Sequence, residues 1–376
     1  MFSPTLKRAL SSLYLVALAG AGMPAHALPS YFITDLGTLG GSSSIPWDIN
    51  DAGQVVGESQ IPGEIPGTMK TRAFLYSEGV MRDLGTLGGE VFSVAKGINN
   101  DGQIAGHSEL PGHMGPHAFV YSGSTMRDLG ALGRSSQAWA INDAGQVTGI
   151  TETSSYVSFH AFLYSGGVMK DLGTLGGSGS FPYAINNAGQ VVGGSTLVGD
   201  DGSRAFLYSD GVMRDLGTLG GRTAEALSIN NAGQVVGYSG LAGDTGPHAF
   251  LYSDGVMRDL DTPGGTFSEA FDINDAGQVI GFYDQTVFLY SGGITTDLNA
   301  ITAVQAAGWD LWTAYAINNN GQIVGLGIIN GQQHAYLLTP ASEVPEPSSA
   351  LLMLVGILGL AGIWRRREPA PDLQLS

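Results

Sequence analysis

The 376 residues include no cysteine, which excludes disulfides, thiol nucleophiles and thiolate metal sites together. Stability must come from packing. Basic residues are scarce as well, 16 Lys and Arg against 33 Asp and Glu. Because Lys7, Arg8 and Arg365 to Arg367 sit near the ends, the body is more acidic than the net charge of −17 implies. Nucleic acid is a poor partner for such a surface, since binding it depends on Lys and Arg neutralising phosphates. A nucleophile elbow, a His-Glu-x-x-His helix, an EF-hand loop and a phosphate-binding loop are all missing from the sequence. No catalytic residue, metal ligand or cofactor site is therefore assigned. What the chain has in excess is glycine, 58 residues without a three-residue period, which marks turns between many short strands rather than helices or collagen.

The two ends read as addresses. Lys7 and Arg8, an apolar run from Leu13 to Ala21 and then Ala25-His26-Ala27 are the charged, apolar and small-residue parts of a secretory signal peptide, residues 1–27, cleaved after Ala27. At the other end, a linker over residues 341–349 contains Pro345-Glu346-Pro347, followed by the apolar residues 350–364 and a basic cytoplasmic tail, 365–376, opened by Arg365, Arg366 and Arg367. At about 1.5 Å per residue the apolar stretch reaches ~22 Å, a thin transmembrane helix for a core of about 30 Å. The arginines hold it with the body outside. This order of parts resembles the PEP-CTERM sorting signal, which implies recognition by an exosortase, a membrane-embedded transpeptidase, in a Gram-negative bacterium with an exopolysaccharide matrix. The resemblance implies export by the general secretory route, transient anchoring in the inner membrane, and then a place on the cell surface or in the matrix. A plain single-pass anchor is the alternative.

Between the ends, residues 28–340 are one unit repeated seven times. Ile-Asn-x-x-Gly-Gln-hydrophobic-x-Gly begins at Ile49, Ile98, Ile141, Ile185, Ile229, Ile273 and Ile317, spaced 49, 43 and then 44 residues apart. A segment of the type His-Ala-Phe-Leu-Tyr-Ser and one of the type Asp-Leu-Gly-Thr-Leu-Gly-Gly recur in step with it. A period near 44 with four short strands per repeat predicts an all-β, seven-bladed β-propeller. The chain opens on a fourth-type strand, Tyr31 to Leu36, and its last repeat stops after the third, His334 to Thr339. The N-terminal strand is thus expected to complete the last blade and close the ring. A linear β-solenoid would not need that complementarity. The triplets His117-Ala118-Phe119, His160-Ala161-Phe162 and His248-Ala249-Phe250 resemble the HAF-type extracellular repeats, which implies extracellular placement and no particular activity.

What every blade carries is explained by what every blade needs. The aspartates Asp35, Asp83, Asp128, Asp171, Asp215, Asp259 and Asp297 are expected to cap the glycine turns that follow them, and the histidines opening the third strands, replaced by Arg72, Arg204 and Thr286, to be packed or hydrogen-bonded rather than metal-bound. Function belongs where the repeats differ, on the face bearing the variable loops. Two positions before the repeated isoleucine lie Trp47, Lys96, Trp139, Tyr183, Leu227, Phe271 and Tyr315. Of these Trp47, Lys96, Trp139, Tyr183 and Tyr315 are the candidate ligand-binding residues, their rings suited to the C–H faces of sugars. Packing between blades is the competing account of the same rings. The expected protein is a non-catalytic binding or structural propeller of the exopolysaccharide matrix, with polysaccharide or another surface protein as partner. The alternative is a carbohydrate-active enzyme, a glycosidase or lyase drawing carboxylates from Glu58, Glu64, Glu109, Glu152, Asp200, Asp201 and Asp244.

Overall fold

Short apolar segments separated by glycine turns cannot bury both faces within a single hairpin, so each repeat forms a sheet that is sandwiched by its neighbours. A computed structural model describes residues 30–62, 69–153, 158–199, 202–243, 246–260, 262–263 and 266–341. Seven four-stranded antiparallel sheets result. Blade 1 comprises Ser44–Ile49, Val55–Pro62, Met69–Ser77 and Val80–Asp83 from the channel outward, and blades 2 to 6 repeat the order. In blade 7 the strands Asp310–Ile317, Ile323–Ile329 and Gln332–Pro340 are completed by Tyr31–Asp35, with Tyr31 opposite Pro340 and Asp35 opposite Tyr336. The closure expected from the strand inventory is the one found.

Six phenylalanines at the same repeat position, from Phe74 to Phe288, and Tyr336 in blade 7 are wholly buried. Each lies in a cluster shared by adjacent blades; Phe288, for example, packs with Val279 and Ile273 of its own blade and Val236 and Ala249 of the preceding one. Gly233 has a φ of +78° in the Asn230 to Gly233 turn, and Asp254 and Gly255 are both left-handed in the following hairpin, as these turns require. Asp35, Asp83, Asp128, Asp171, Asp215 and Asp297 each accept the backbone N–H two residues on, at 2.7 to 2.8 Å. Their carboxylates also bond the third strand: Asp128, Asp171, Asp259 and Asp35 meet Nδ1 of His117, His160, His248 and His334 at 2.9 to 3.0 Å, and Asp83 and Asp215 face Arg72 and Arg204 at 4.0 and 3.9 Å. Arginine takes the place of histidine there as another donor beside the carboxylate, at a longer distance.

Two closed hydrogen-bond rings seal one face. The first asparagine of each turn, Asn50, Asn99, Asn142, Asn186, Asn230, Asn274 and Asn318, donates from Nδ2 to the backbone carbonyl of its counterpart in the next blade at 2.9 to 3.2 Å, and Asn318 returns to Asn50. At the next position the backbone N–H of Asp51, Asn100, Asp143, Asn187, Asn231, Asp275 and Asn319 reaches the following blade's side-chain Oδ1 at 2.8 to 3.0 Å. These contacts leave a recess of about 160 Å³.

The inner strand of blade 5 runs the ten residues Gly220–Ile229, because the segment preceding the repeat also pairs. The connection between blades 6 and 7, residues 298–309, is structured. It begins with a 3₁₀ turn, Leu298–Ala300, and holds an α-helix, Thr302–Ala307, ending at the left-handed Gly308. Leu298, Ile301 and Val304 bury themselves in the blade 6 and 7 core. The expected signal peptide with its Ala25 and Ala27 site, the Pro345-Glu346-Pro347 motif, the helix over 350–364 and Arg365 to Arg367 lie outside the described residues. Among the described residues no helix is long and apolar enough to cross a membrane.

Candidate functional site

In each innermost strand the pairing with the second strand skips one residue: Trp47, Lys96, Trp139, Tyr183, Leu227, Phe271 and, in blade 7, Tyr315. These are β-bulges, which release one residue from the ladder and re-aim its side chain. The candidate ligand residues are therefore the residues that the bulges turn into the channel. The same irregularity explains the last glycine of the repeat. A Cβ at Gly57 would collide with the carbonyl oxygen of Ile45, and at Gly193 with that of Phe181.

Together the seven line one cavity of about 590 Å³, with Glu58, Val94, His107 and Gln137. The rings pair across blades. Trp47 and Tyr315 have centroids 4.8 Å apart, Trp139 and Tyr183 stack at 5.4 Å, and the Lys96 ammonium sits 2.9 Å from the centre of the Trp47 ring. Trp47 also donates from Nε1 to Glu58 at 3.2 Å. Trp47 thus carries Lys96 on its face as a cation–π contact, so part of its aromatic surface is covered from within the protein. Burial lowers Lys96 to about 8, and Glu58 opposes the shift.

On the far side of the mouth Tyr183 donates its hydroxyl to Glu225 at 2.9 Å. Burial, and then Glu225 itself, raise Tyr183, Tyr238 and Glu269. Deeper in the channel a chamber of about 230 Å³ holds Asp48 and Asp272. Asp48 accepts the N–H groups of Ile49 and Ile98, both at 2.8 Å; Asp272 accepts Ile317 N–H at 2.8 Å and the Ser228 hydroxyl at 2.6 Å. Both side chains retain some exposure, but only towards a narrow chamber walled by protein, so desolvation governs them. It raises Asp272, and it raises Asp48 to about 7 against the backbone hydrogen bonds, with Asp272 adding to the rise.

Because Asp48 is raised above its unfolded value, the folded chain holds a proton that the unfolded chain has lost between about pH 4 and pH 7, and stability falls as pH rises through that window. Asp48→Asn removes this titration. The melting temperature of the parent relative to that variant is expected to decline from pH 4 to 7 and then level off, in differential scanning calorimetry; parallel profiles would show Asp48 charged throughout.

Of the acids expected on the variable face, Glu58 enters the cavity. Glu109 and Glu152 instead accept the N–H groups of Val91 and Arg134 at 2.8 and 3.1 Å and so brace loops. Glu64, Asp200, Asp201 and Asp244 lie outside the described residues. His107, Gln137, Asp48, Asp272, Glu225 and Glu269 escaped the sequence reading. The available signal was departure from the repeat: the slot of Asp48 and Asp272 is Gly97, Ala140, Ala184, Ser228 or Ala316 elsewhere. Among the described residues no group of three or more His, Asp or Glu side chains is placed to hold a metal ion.

A comparison with curated proteins finds no match. Among solved structures, the β-propeller domain of the Trilobed protease from Pyrococcus furiosus, described as having an open velcro topology, aligns over 86% of this chain and 98% of its own at 8% identity, with a TM-score of 0.54. The Dos1 propeller aligns over 82% and 95% at 9% identity and a TM-score of 0.44. At these identities the likeness concerns the fold alone. Residues 343–367 match the PEP-CTERM protein-sorting motif. The chain is a seven-bladed propeller carrying the C-terminal signal that exosortases recognise on exported surface proteins.

Proposed function

We propose that the propeller is a non-catalytic binding protein of the extracellular polysaccharide matrix, taking a segment of glycan into the mouth of its channel. One observation carries the reading: seven bulges aim Trp47, Lys96, Trp139, Tyr183, Leu227, Phe271 and Tyr315 into a single cavity of about 590 Å³, a size and a mixture of rings and polar groups that suit a sugar ligand. The sorting motif over residues 343–367 supports this reading, because a protein sorted to the cell surface would meet glycans there. The polar groups at the mouth are largely engaged with protein partners, Glu58 with Trp47 and Glu225 with Tyr183, which favours holding a ligand over cleaving it.

The test is co-sedimentation of residues 28–344 with the producer's matrix polysaccharide. The parent is expected to pellet with the polymer, and a folded Trp47→Ala/Trp139→Ala variant to lose at least about tenfold in affinity, since each stacked ring contributes about 1–3 kcal/mol in comparable ring-stacking sites. Equal pelleting of the two proteins would reject the aromatic site. Release of reducing ends during incubation would move the assignment to the enzyme class.

A further inference from the structure

The cavity wall contains one polar group with no account in the fold. Nδ1 of His107 is buried and has no hydrogen-bond partner, an arrangement that native proteins rarely tolerate without a function for it. The ring is fixed rather than loose, with Phe92 edge-on at 6.2 Å and a hydrogen bond to the Ala138 backbone. Burial first, and Lys96 second, push His107 down to about 4 against that bond. The imidazole is neutral at pH 7, its proton lies on Nε2 towards the Ala138 carbonyl, and Nδ1 is left as a pure acceptor. Beside it in the same cavity stand Lys96, Glu58 and Gln137.

We infer that this corner binds a hydroxyl group of a neutral sugar ring, His107 Nδ1 accepting the hydroxyl hydrogen while Lys96 donates to the oxygen of the same or the adjacent hydroxyl. The inference rests on the glycan reading of the cavity and adds its attachment point and the charge class of the ligand. Two features select against an ionised carboxylate or sulfate group at this corner, and so against a polymer that carries one on every residue. An ionised carboxylate or sulfate has no hydrogen to give Nδ1, so it leaves the buried acceptor unpaired. Nor is there a free positive charge to attract it: Lys96 is already accompanied by Glu58, and the opposite side of the mouth carries Glu225 and Glu269. A vicinal diol matches instead, because each hydroxyl both donates and accepts.

The experiment is calorimetric titration of residues 28–344, whose ring closes on its own N-terminal strand, with cellohexaose, mannohexaose, xylohexaose and hexagalacturonate. At least one neutral hexamer is expected to bind about tenfold or more tighter than hexagalacturonate. His107→Phe, which keeps a ring against Phe92 but removes the acceptor, should weaken that neutral hexamer about tenfold, the usual cost of one lost hydrogen bond to a ligand hydroxyl. His107→Asn, which restores a polar oxygen near the δ position, should recover part of the loss. Should His107→Phe fail to fold, Lys96→Met, which leaves its stem on Trp47, is expected to weaken the same hexamer about fivefold. Tighter binding of hexagalacturonate, or full affinity in a folded His107→Phe or Lys96→Met protein, overturns the inference while the glycan reading stands on the Trp47/Trp139 result. Failure of every neutral hexamer to bind also overturns it, and co-sedimentation with the matrix polymer then judges the broader reading separately.

Discussion

Asn230→Ala should lower the unfolding free energy by about 1.5–4.5 kcal/mol, measured by urea denaturation. The side chain makes four contacts from a buried position: Nδ2 donates to Gln234 Oε1 at 2.8 Å and to the Asn274 carbonyl at 3.1 Å, and Oδ1 accepts the N–H groups of Ala232 and Gln234 at 3.1 and 2.9 Å. Alanine leaves the Gln234 N–H without its partner, at about 1–3 kcal/mol for a buried orphan, while the Asn274 carbonyl keeps the Gly277 N–H at 3.0 Å and loses one hydrogen bond, about 0.5–1.5 kcal/mol. The ring of seven is also cut at one link, so blades 5 and 6 lose a tie that no strand pairing replaces. Asp275→Asn is the control from the second ring. There Oδ1 accepts the Asn231 N–H at 2.8 Å, which asparagine retains, and Oδ2 accepts the exposed Asn231 Nδ2 at 2.9 Å, which asparagine gives up, so a smaller change of about 1 kcal/mol is expected. A small loss in Asn230→Ala would mean that water or a shifted turn takes over these bonds.

That contrast also shows what the sequence could and could not disclose. The second turn position holds Asp in some repeats and Asn in others, whereas the first is always Asn. A turn acceptor would be served by either residue, so the unbroken Asn run signals a required donor. Its recipient, a carbonyl in another repeat, is a contact between blades and leaves no mark in a local pattern. Repeat spacing likewise gave the number of blades, and strand inventory at the ends gave the closure, because both depend on order along the chain. The candidate cavity was legible only halfway. Periodicity found the slot of Trp47, Lys96 and Trp139, since that slot is one per repeat. It did not find His107 on a second strand, whose slot holds a different residue in every blade, or Asp48 and Asp272 one step deeper, whose slot is acidic in only two blades, because periodicity registers only what recurs. The bulge that aims the slot inward was hidden for a different reason: an extra residue is visible only once two strands are paired.

Removal of residues 28–36 should abolish cooperative folding at 25 °C. The strand Tyr31–Asp35 is the only cover for the outer edge of Gln332–Pro340 among the described residues. Its loss takes away the buried Tyr31 and Leu36, each worth about 1.5–3 kcal/mol. It also removes the Leu36 N–H to Ala335 carbonyl bond, the His334 and Asp35 pair, and the Tyr31 hydroxyl bond to Gly321. With the strand ladder included, the sum is about 5–10 kcal/mol, comparable with the whole stability of an ordinary domain. The exposed edge that remains is moreover a template for aggregation. Since Tyr31 pairs directly with Pro340, a circular permutant that joins these ends through a short glycine-serine linker and opens at the exposed Asp210-Gly211 hairpin keeps every strand. It should melt within a few degrees of the parent, at about the scale of 1 kcal/mol, by circular dichroism. Collapse of the truncated chain beside a stable permutant would assign the effect to the missing fourth strand itself. Equal melting of the truncated chain and the parent would mean that six complete blades and one partial blade hold the ring unaided, and that closure by the N-terminal strand is dispensable.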